Sequence, residues 1–162
     1  MQNMPRPLVA VMDLLSQGKL RKAEELCRKF LKANPTHTEA MRLLAELATG
    51  FGELGDAEYL LESATEFAPD NIQIRIDYIG VLRQRQKFPE ALVVAEALFS
   101  EHPENPQIES LYAVEKMQSG DYDGAIAMFD NILRKLPGDA VTLTSRGHAL
   151  KTRGDQQAAI ES

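Results

Sequence analysis

The sequence predicts an all-α solenoid of stacked helical hairpins, and three columns of residues predict it. Pro35, Pro69, Pro103 and Pro137 stand 34 residues apart. Ala23, Ala57, Ala91, Ala125 and Ala159 keep the same interval. Gly18, Gly52, Gly120 and Gly154 form a third column, in which Gln86 is the exception. At ordinary proline usage, three further prolines at set positions arise by chance only ~1 time in 10^4. A unit of this length cannot bury its apolar face alone, so its stability must come from stacking on its neighbours.

Each column has a physical task. The Gly column lies between two helical patterns, where a tight turn calls for positive φ. Two residues on, Leu20, Leu54, Phe88 and Tyr122 fill space between hairpins. The Ala column falls early in each second helix, where a small side chain lets two helices approach closely. The Pro ends that helix, because it cannot continue the hydrogen-bond ladder. First helices are expected at about 7–17, 38–50, 72–85, 106–119 and 140–153. Second helices are expected at about 20–33, 55–67, 88–101 and 122–135, with a further, broken element from about 156. Thr36-His37-Thr38-Glu39 has a capping-box pattern, and Asn105-Pro106 sets a cap before a first-turn proline. Asp70 and Asp139 are available to cap the other two starts. Asp121 and Asp123 flank Tyr122 at a helix start, where carboxylates favour the dipole. On the second helices, Arg28 and Lys32 are expected to stack near Glu62 and Glu66, each exposed pair contributing only ~0.2–1 kcal/mol.

These residues resemble the tetratricopeptide repeat family. The second repeat carries the pattern at Met41, Leu44, Ala45, Gly52, Ala57, Leu61, Ala64 and Pro69. The fourth carries it at Tyr112, Ala113, Gly120, Asp121, Tyr122, Ala125, Ile126, Phe129 and Pro137. Val11 and Ile79 depart from it in the small-residue column, and Cys27 and Ala95 replace its Phe-like residue. The resemblance implies one domain over 1–162, with repeats at about 4–37, 38–71, 72–105 and 106–139 and a partial fifth at 140–162. It also implies a right-handed superhelix whose first helices line a concave groove. Phrases such as "AEYLLESATEFAPDN" and "RGHALKTRGD" further resemble the N-terminal repeats of bacterial proteins that fuse this domain to a sulfotransferase. No phosphosulfate-binding loop is present, so no sulfotransferase residue carries over.

Composition narrows the function. The 162 residues carry a net charge of −6 and a single cysteine, Cys27. The sign disfavours nucleic acid and anionic membranes as general partners. Residues 1–35 hold seven Lys/Arg against three Asp/Glu, and residues 36–162 eleven against twenty-one, so the charge is polarised along the chain. One cysteine forms no intrachain disulfide, and neither a membrane-length apolar run nor a signal peptide is read; a cytoplasmic location is the expectation. Cys27 falls in a core column and is expected to be inert. The chain has no phosphate loop and no nucleophile elbow. His37, His102 and His148 lie far apart in the register and form no i, i+4 pair, so no metal site, cofactor or catalytic residue is expected.

The resemblance places the groove-facing columns at Leu8, Met12 and Leu15 in the first repeat. The second contributes Glu39, Arg42, Leu43 and Glu46, and the third Gln73, Ile76, Asp77, Gly80 and Arg83. The fourth contributes Gln107, Ser110, Leu111, Val114 and Met117. The partial fifth contributes Val141, Thr144, Ser145, His148 and Lys151. Chaperone-tail binders of the family clamp a terminal carboxylate with Lys, Asn and Arg. The matching positions here are Leu8, Met12, Leu43, Gln73 and Asp77, so such tails are not the expected ligand. The leading expectation is an interaction scaffold for a protein or peptide held in the groove. Two alternatives stand beside it: an accessory domain positioning an acceptor for a sulfotransferase outside this chain, and a homodimerisation module. The register breaks off within the fifth repeat, which is the signature expected of a fragment. Residues 154–162 are expected to fray or to borrow contacts in a dimer, with Leu143, Ala149 and Leu150 partly uncovered.

Overall fold

The computed structural model describes residues 3–161, and among them every regular element is a helix. The helices are α1 (Arg6–Ser16), α2 (Leu20–Ala33), α3 (Thr38–Gly50), α4 (Leu54–Phe67), α5 (Ile72–Gln84), α6 (Phe88–Glu101), α7 (Pro106–Gln118), α8 (Tyr122–Lys135) and α9 (Ala140–Glu161). They divide into two compact units, α1–α5 up to Arg85 and α6–α9 from Gln86. In the first unit each helix packs on the next, from α1 through α5; in the second, α6 packs on α7, α7 on α8 and α8 on α9.

The turns between paired helices follow from the Gly column. Gly18, Gly52 and Gly120 have φ of 72°, 77° and 91°. Each directly follows the C-cap residue of a first helix, Gln17, Phe51 or Ser119. The amide of the following residue reaches back five positions, as in Lys19 to the Leu14 carbonyl (2.9 Å), Glu53 to Ala48 (2.8 Å) and Asp121 to Lys116 (2.9 Å). That is the Schellman closure, which satisfies carbonyls the helix end would otherwise orphan. Gln86 takes the same left-handed conformation, φ 59°, with a side chain. The left-handed region costs an L-residue roughly 1–2 kcal/mol, offset in part by the chain entropy a glycine would lose. Gln86→Gly is therefore expected to raise stability by about 0.5–1 kcal/mol, and a denaturation midpoint that falls would show that the Gln side chain has a compensating role.

The first helices after α1 start on one cap column, whereas α1 starts at Pro5 with no side-chain cap. His37 Nδ1 accepts from Ala40 N (3.2 Å), and Asn71 from Ile74 N (3.2 Å). Asn105 accepts from Gln107 N (3.0 Å) and Ile108 N (3.3 Å), and Asp139 from Thr142 N (2.9 Å). The expected Asn105 and Asp139 caps are as read. The expected Thr36 and Asp70 caps are corrected by one residue, to His37 and Asn71. His37 also meets Phe30 edge-on at 5.1 Å, which holds its ring in place to accept the bond.

Second helices carry the small column inward: Ala23, Ala57, Ala91 and Ala125 are fully buried. Leu8, Val11, Ala23, Cys27, Ala40, Leu43, Leu44 and Leu47 form one core cluster in the first unit. Met41, Ala45, Ala48, Ala57, Leu61, Ala64, Ile74 and Val81 form another. Ala113, Ala125, Ile126, Phe129, Ile132 and Ala149 form the core of α7–α9. The Cys27 thiol lies wholly buried and donates to the Ala40 carbonyl at 3.4 Å. Burial pushes its pKa up to about 11, far from the thiolate that reactivity needs.

The fifth repeat departs from the expected pattern. α9 runs straight through Gly154 to Glu161, with no turn and no second helix; Ser162 lies outside the described residues. The column that anchors each earlier turn, Leu20, Leu54, Phe88 and Tyr122, is occupied here by polar Gln156, so no apolar side chain draws the chain back. Ala149, expected to be partly uncovered, is fully buried against α7 and α8. Leu143 stays exposed, and so does Ile160 in place of a core residue.

Candidate functional site

The first-helix face of the first unit holds a hollow of about 430 Å³. Its floor is apolar, from Ala45, Leu61, Ile76 and Val81; Gly80 leaves its middle open, and Arg42, Glu46, Thr49, Asp77 and Gln84 supply polar groups. α3 and α5 build it because residues 34 apart stand side by side on neighbouring first helices. Arg42 on α3 reaches across to Asp77 on α5 at 3.5 Å. The same guanidinium donates to Glu39 through Nη2 (2.8 Å) and Nε (3.3 Å). Gln73 Nε2 donates to the other Asp77 oxygen at 2.8 Å. The Glu39 hydrogen bond, with the nearby Glu39 and Asp77 carboxylates, holds the Arg42 pKa above its usual value against partial burial. Arg42 is thus a fixed strut between two helices. Glu46, in contrast, is exposed and makes no ion pair among the described residues.

Of the groove residues expected from the sequence, the hollow gathers Arg42, Glu46, Ile76 and Asp77. Arg83 on the same helix is not part of its lining. Leu8 is a correction: it is fully buried in the α1–α2 core, because its side chain points into the layer of Ala23 and Cys27 rather than outward. Met12 is exposed. In the second unit, Ser110 borders a smaller hollow of about 270 Å³ with Ile132, Leu136 and Thr142. Val114 and Met117 pack half-buried against the α7–α9 core. Thr144 is exposed and its hydroxyl donates to the Ala140 carbonyl (2.8 Å); exposed His148 accepts the Thr152 hydroxyl on its carbonyl (3.0 Å). The hollow also uses Thr49, which is absent from the expected groove columns although it shares one 34-residue column with Leu15, Arg83, Met117 and Lys151. Thr49 lines the hollow and donates to the Ala45 carbonyl at 2.8 Å, which leaves its hydroxyl oxygen able to accept a further bond.

The opposite, second-helix side does not show the expected pairing of Arg28 and Lys32 with Glu62 and Glu66. Arg28 instead donates to Glu24 on its own helix at 3.1 Å. α4 turns the stripe Asp56, Tyr59, Ser63 and Phe67 toward α2, which rotates Glu62 and Glu66 away.

Two carboxylates at helix starts lie below the usual carboxylate range. For Asp121 the main cause is the Gly124 amide (2.9 Å), followed by the Lys116 ammonium (3.1 Å). For Asp139 it is the Thr142 hydroxyl and amide. A lowered folded pKa gives stability that is present above the unfolded value and lost as pH falls through the folded one. Thermal melts from neutral to about pH 3 should therefore show a loss on the acid side that Asp121→Asn, which keeps an acceptor but does not titrate, makes shallower. An unchanged acid limb in that variant would remove Asp121 from the account.

Among the described residues no three His, Cys, Asp or Glu side chains come together as a metal site, and no helix is long and apolar enough to cross a membrane.

Comparison with known proteins places this geometry. A tetratricopeptide repeat protein from Parabacteroides merdae ATCC 43184 superposes with a TM-score of 0.83 at 21% identity, over 92% of this chain and 59% of that one. MamA superposes at 0.78 and 16%, over 98% and 90%. YrrB, a TPR protein with an unusual peptide-binding site, superposes at 0.75 and 16%, over 96% and 80%. At such identities the likeness establishes the fold. No curated protein matches in sequence. The family model described as tetratricopeptide repeat matches residues 14–75 and 48–115, more than half of the chain. Repeats of this type present binding surfaces rather than catalytic centres, which supports a protein-interaction scaffold. With helical pairs on a 34-residue period, left-handed turns at the Gly column and a buried Ala column, the chain belongs to the tetratricopeptide repeat family.

Proposed function

We propose that the chain is a protein-interaction scaffold that holds a peptide segment of a partner across α3 and α5. The observation that carries this is the hollow itself: an apolar floor, polar groups on its rim, and an open middle at Gly80. Arg42 is committed to Glu39 and Asp77, so the rim is preorganised before any ligand arrives. Thr49, Gln84 and Glu46 offer hydrogen-bonding groups to an extended backbone, and Glu46 favours a Lys or Arg side chain on the ligand. YrrB, similar in fold, has a peptide-binding site, which supports the same use of the architecture here.

Gly80 gives the test. A Cβ built there meets nothing within 4 Å, so a larger residue enters the hollow without touching the core. Gly80→Gln should abolish binding of peptides selected against the wild-type protein. It should also raise the melting temperature slightly, since glycine inside a helix costs about 0.5–1 kcal/mol relative to alanine-like residues. Peptides that bind the Gly80→Gln variant with wild-type affinity would move the site elsewhere.

A further inference from the structure

On another face of α3 a second hollow, of about 510 Å³, opens between α2 and α4. Met41 and Leu44 of α3 form its floor, and two aromatic side chains, Tyr59 and Phe67, stand on its α4 wall. They are 71% and 54% exposed, which is unusual for large apolar groups that a neighbour has the opportunity to cover. The α2 wall is cationic: Arg28, which pairs with Glu24 on its own helix yet keeps 48% of its side chain exposed, and Lys32, which makes no ion pair among the described residues. Asp56 is the single carboxylate on the lining.

The repeat supplies an internal control for whether packing alone demands these residues. At the positions of Arg28 and Lys32, the later second helices carry Glu62 and Glu66, Glu96 and Ser100, and Asp130 and Arg134. At the positions of Tyr59 and Phe67, the other second helices carry Glu25 and Ala33, Val93 and Glu101, and Ala127 and Lys135. In no other repeat do both aromatic places hold an aromatic, and no other holds two cations at the basic places. Helical hairpins of this chain therefore also form with acidic or small residues there. What this hollow adds is a hydrophobic slot edged by positive charge, in a chain of net charge −6.

We propose that this α2–α4 hollow is a second docking site, distinct from the α3–α5 face, for an acidic amphipathic segment of a partner protein. A bulky apolar side chain enters between Tyr59 and Phe67 and reaches Met41 and Leu44. Flanking Asp or Glu residues meet Arg28 and Lys32. The two hollows share no lining residue and take different residues of α3, Arg42, Ala45, Glu46 and Thr49 in one and Met41 and Leu44 in the other, so each can take its own partner segment.

The test uses the whole chain and three fluorescent helix-forming peptides with the same Leu/Phe face, bearing Asp/Glu, Asn/Gln or Lys on the other face. Anisotropy should show the acidic peptide binding at least about tenfold tighter than the neutral one, with the difference shrinking as salt rises. Tyr59→Ala with Phe67→Ala should abolish binding, and Arg28→Glu with Lys32→Glu should transfer the preference to the Lys peptide. Each of these replacements has a precedent or near-precedent at the same position in another repeat, and circular dichroism checks that the fold is kept. Amide chemical-shift mapping on the unsubstituted protein should place the acidic peptide on α2 and α4, and Gly80→Gln should leave its affinity intact. Four outcomes overturn the proposal: no binding at about 1 mM peptide; binding indifferent to all four substitutions; a wild-type dimer that Tyr59→Ala with Phe67→Ala converts to monomer, which makes a second copy the occupant; or an oligonucleotide that binds the hollow in preference to the peptide.

Discussion

Phe129→Ala is expected to lower the stability of the α7–α9 region by about 3–5 kcal/mol. Phe129 is fully buried and is the largest of the wholly enclosed side chains. It packs in the cluster that contains Ala113, Ala125, Ile132 and Ala149. Removing the ring forfeits its transfer free energy and leaves a cavity between helices whose spacing is fixed by neighbouring small residues, so collapse is limited. Because contacts in a repeat array run between neighbours, the loss should be local. Hydrogen exchange should accelerate in α7, α8 and α9 while α1–α4 keep their protection. A denaturation shift below about 1 kcal/mol would mean that the site refills, which the packing argues against. The same experiment has a second arm. Adding Ala113→Ile to Phe129→Ala should recover at least about 1 kcal/mol, because the two positions share one layer and couple. Losses that simply add would break that inference.

The second arm rests on a regularity among the departures from the family pattern. The small-residue column reads Val11, Ala45, Ile79, Ala113, and the Phe-like column reads Cys27, Leu61, Ala95, Phe129. Wherever the first is large the second is small. Val11 and Cys27 are buried in one cluster, Ala45 and Leu61 in another, and Ala113 and Phe129 in a third. Read column by column these look like defects; read as pairs they conserve volume, which cores tolerate well.

The period itself was legible because turn, close approach and helix stop each demand a particular residue type. The caps were legible only in part: several polar residues precede each helix, and local propensity alone does not choose among Thr36, His37 and Thr38. The 34-residue column does choose, since His37, Asn71, Asn105 and Asp139 are in register. Thr49 was recoverable by the same rule. Burial of Leu8 was not, because facing the groove and facing the core differ only by a modest rotation of α1. The straight course of α9 was masked by Gly154, whose presence suggests a turn. A glycine permits left-handed backbone without requiring it, and the residue that would enforce the turn, an apolar side chain at the place of Gln156, is missing. As for the site, the sequence placed Arg42, Ile76 and Asp77 on one face. It did not reveal that Arg42 is occupied by Glu39 as well as Asp77, since an i, i+3 pair and a cross-helix pair compete only in three dimensions.

Ala125→Leu is expected to destabilise by about 1–3 kcal/mol through overpacking. Ala125 is fully buried in the first turn of α8, and its amide donates to the Asp121 carbonyl at 3.1 Å. The turn just before it is fixed on both sides. Gly120 holds φ at 91°, Asp121 caps Gly124, and Lys116 pairs with Asp121 at 3.1 Å. A Cβ on Gly124 would come within 2.8 Å of Asp121 Cγ, so the capped turn has little slack of its own. A leucine at 125 must therefore either push α8 away from α7 against this anchor or adopt a strained rotamer. Either route loses contacts at Ile126 and Phe129, whose side chains follow on the same helix. Ala127→Leu is the control: Ala127 is exposed two residues further on, and adding the same carbons there should change stability by no more than about 0.5 kcal/mol. Urea denaturation followed by helical circular dichroism separates the two variants directly. If both melt like the wild-type protein, the Ala column does not set the distance between helices, and the close approach inferred from its period is wrong. If both are equally destabilised, the effect belongs to leucine in α8 generally rather than to the α7–α8 contact.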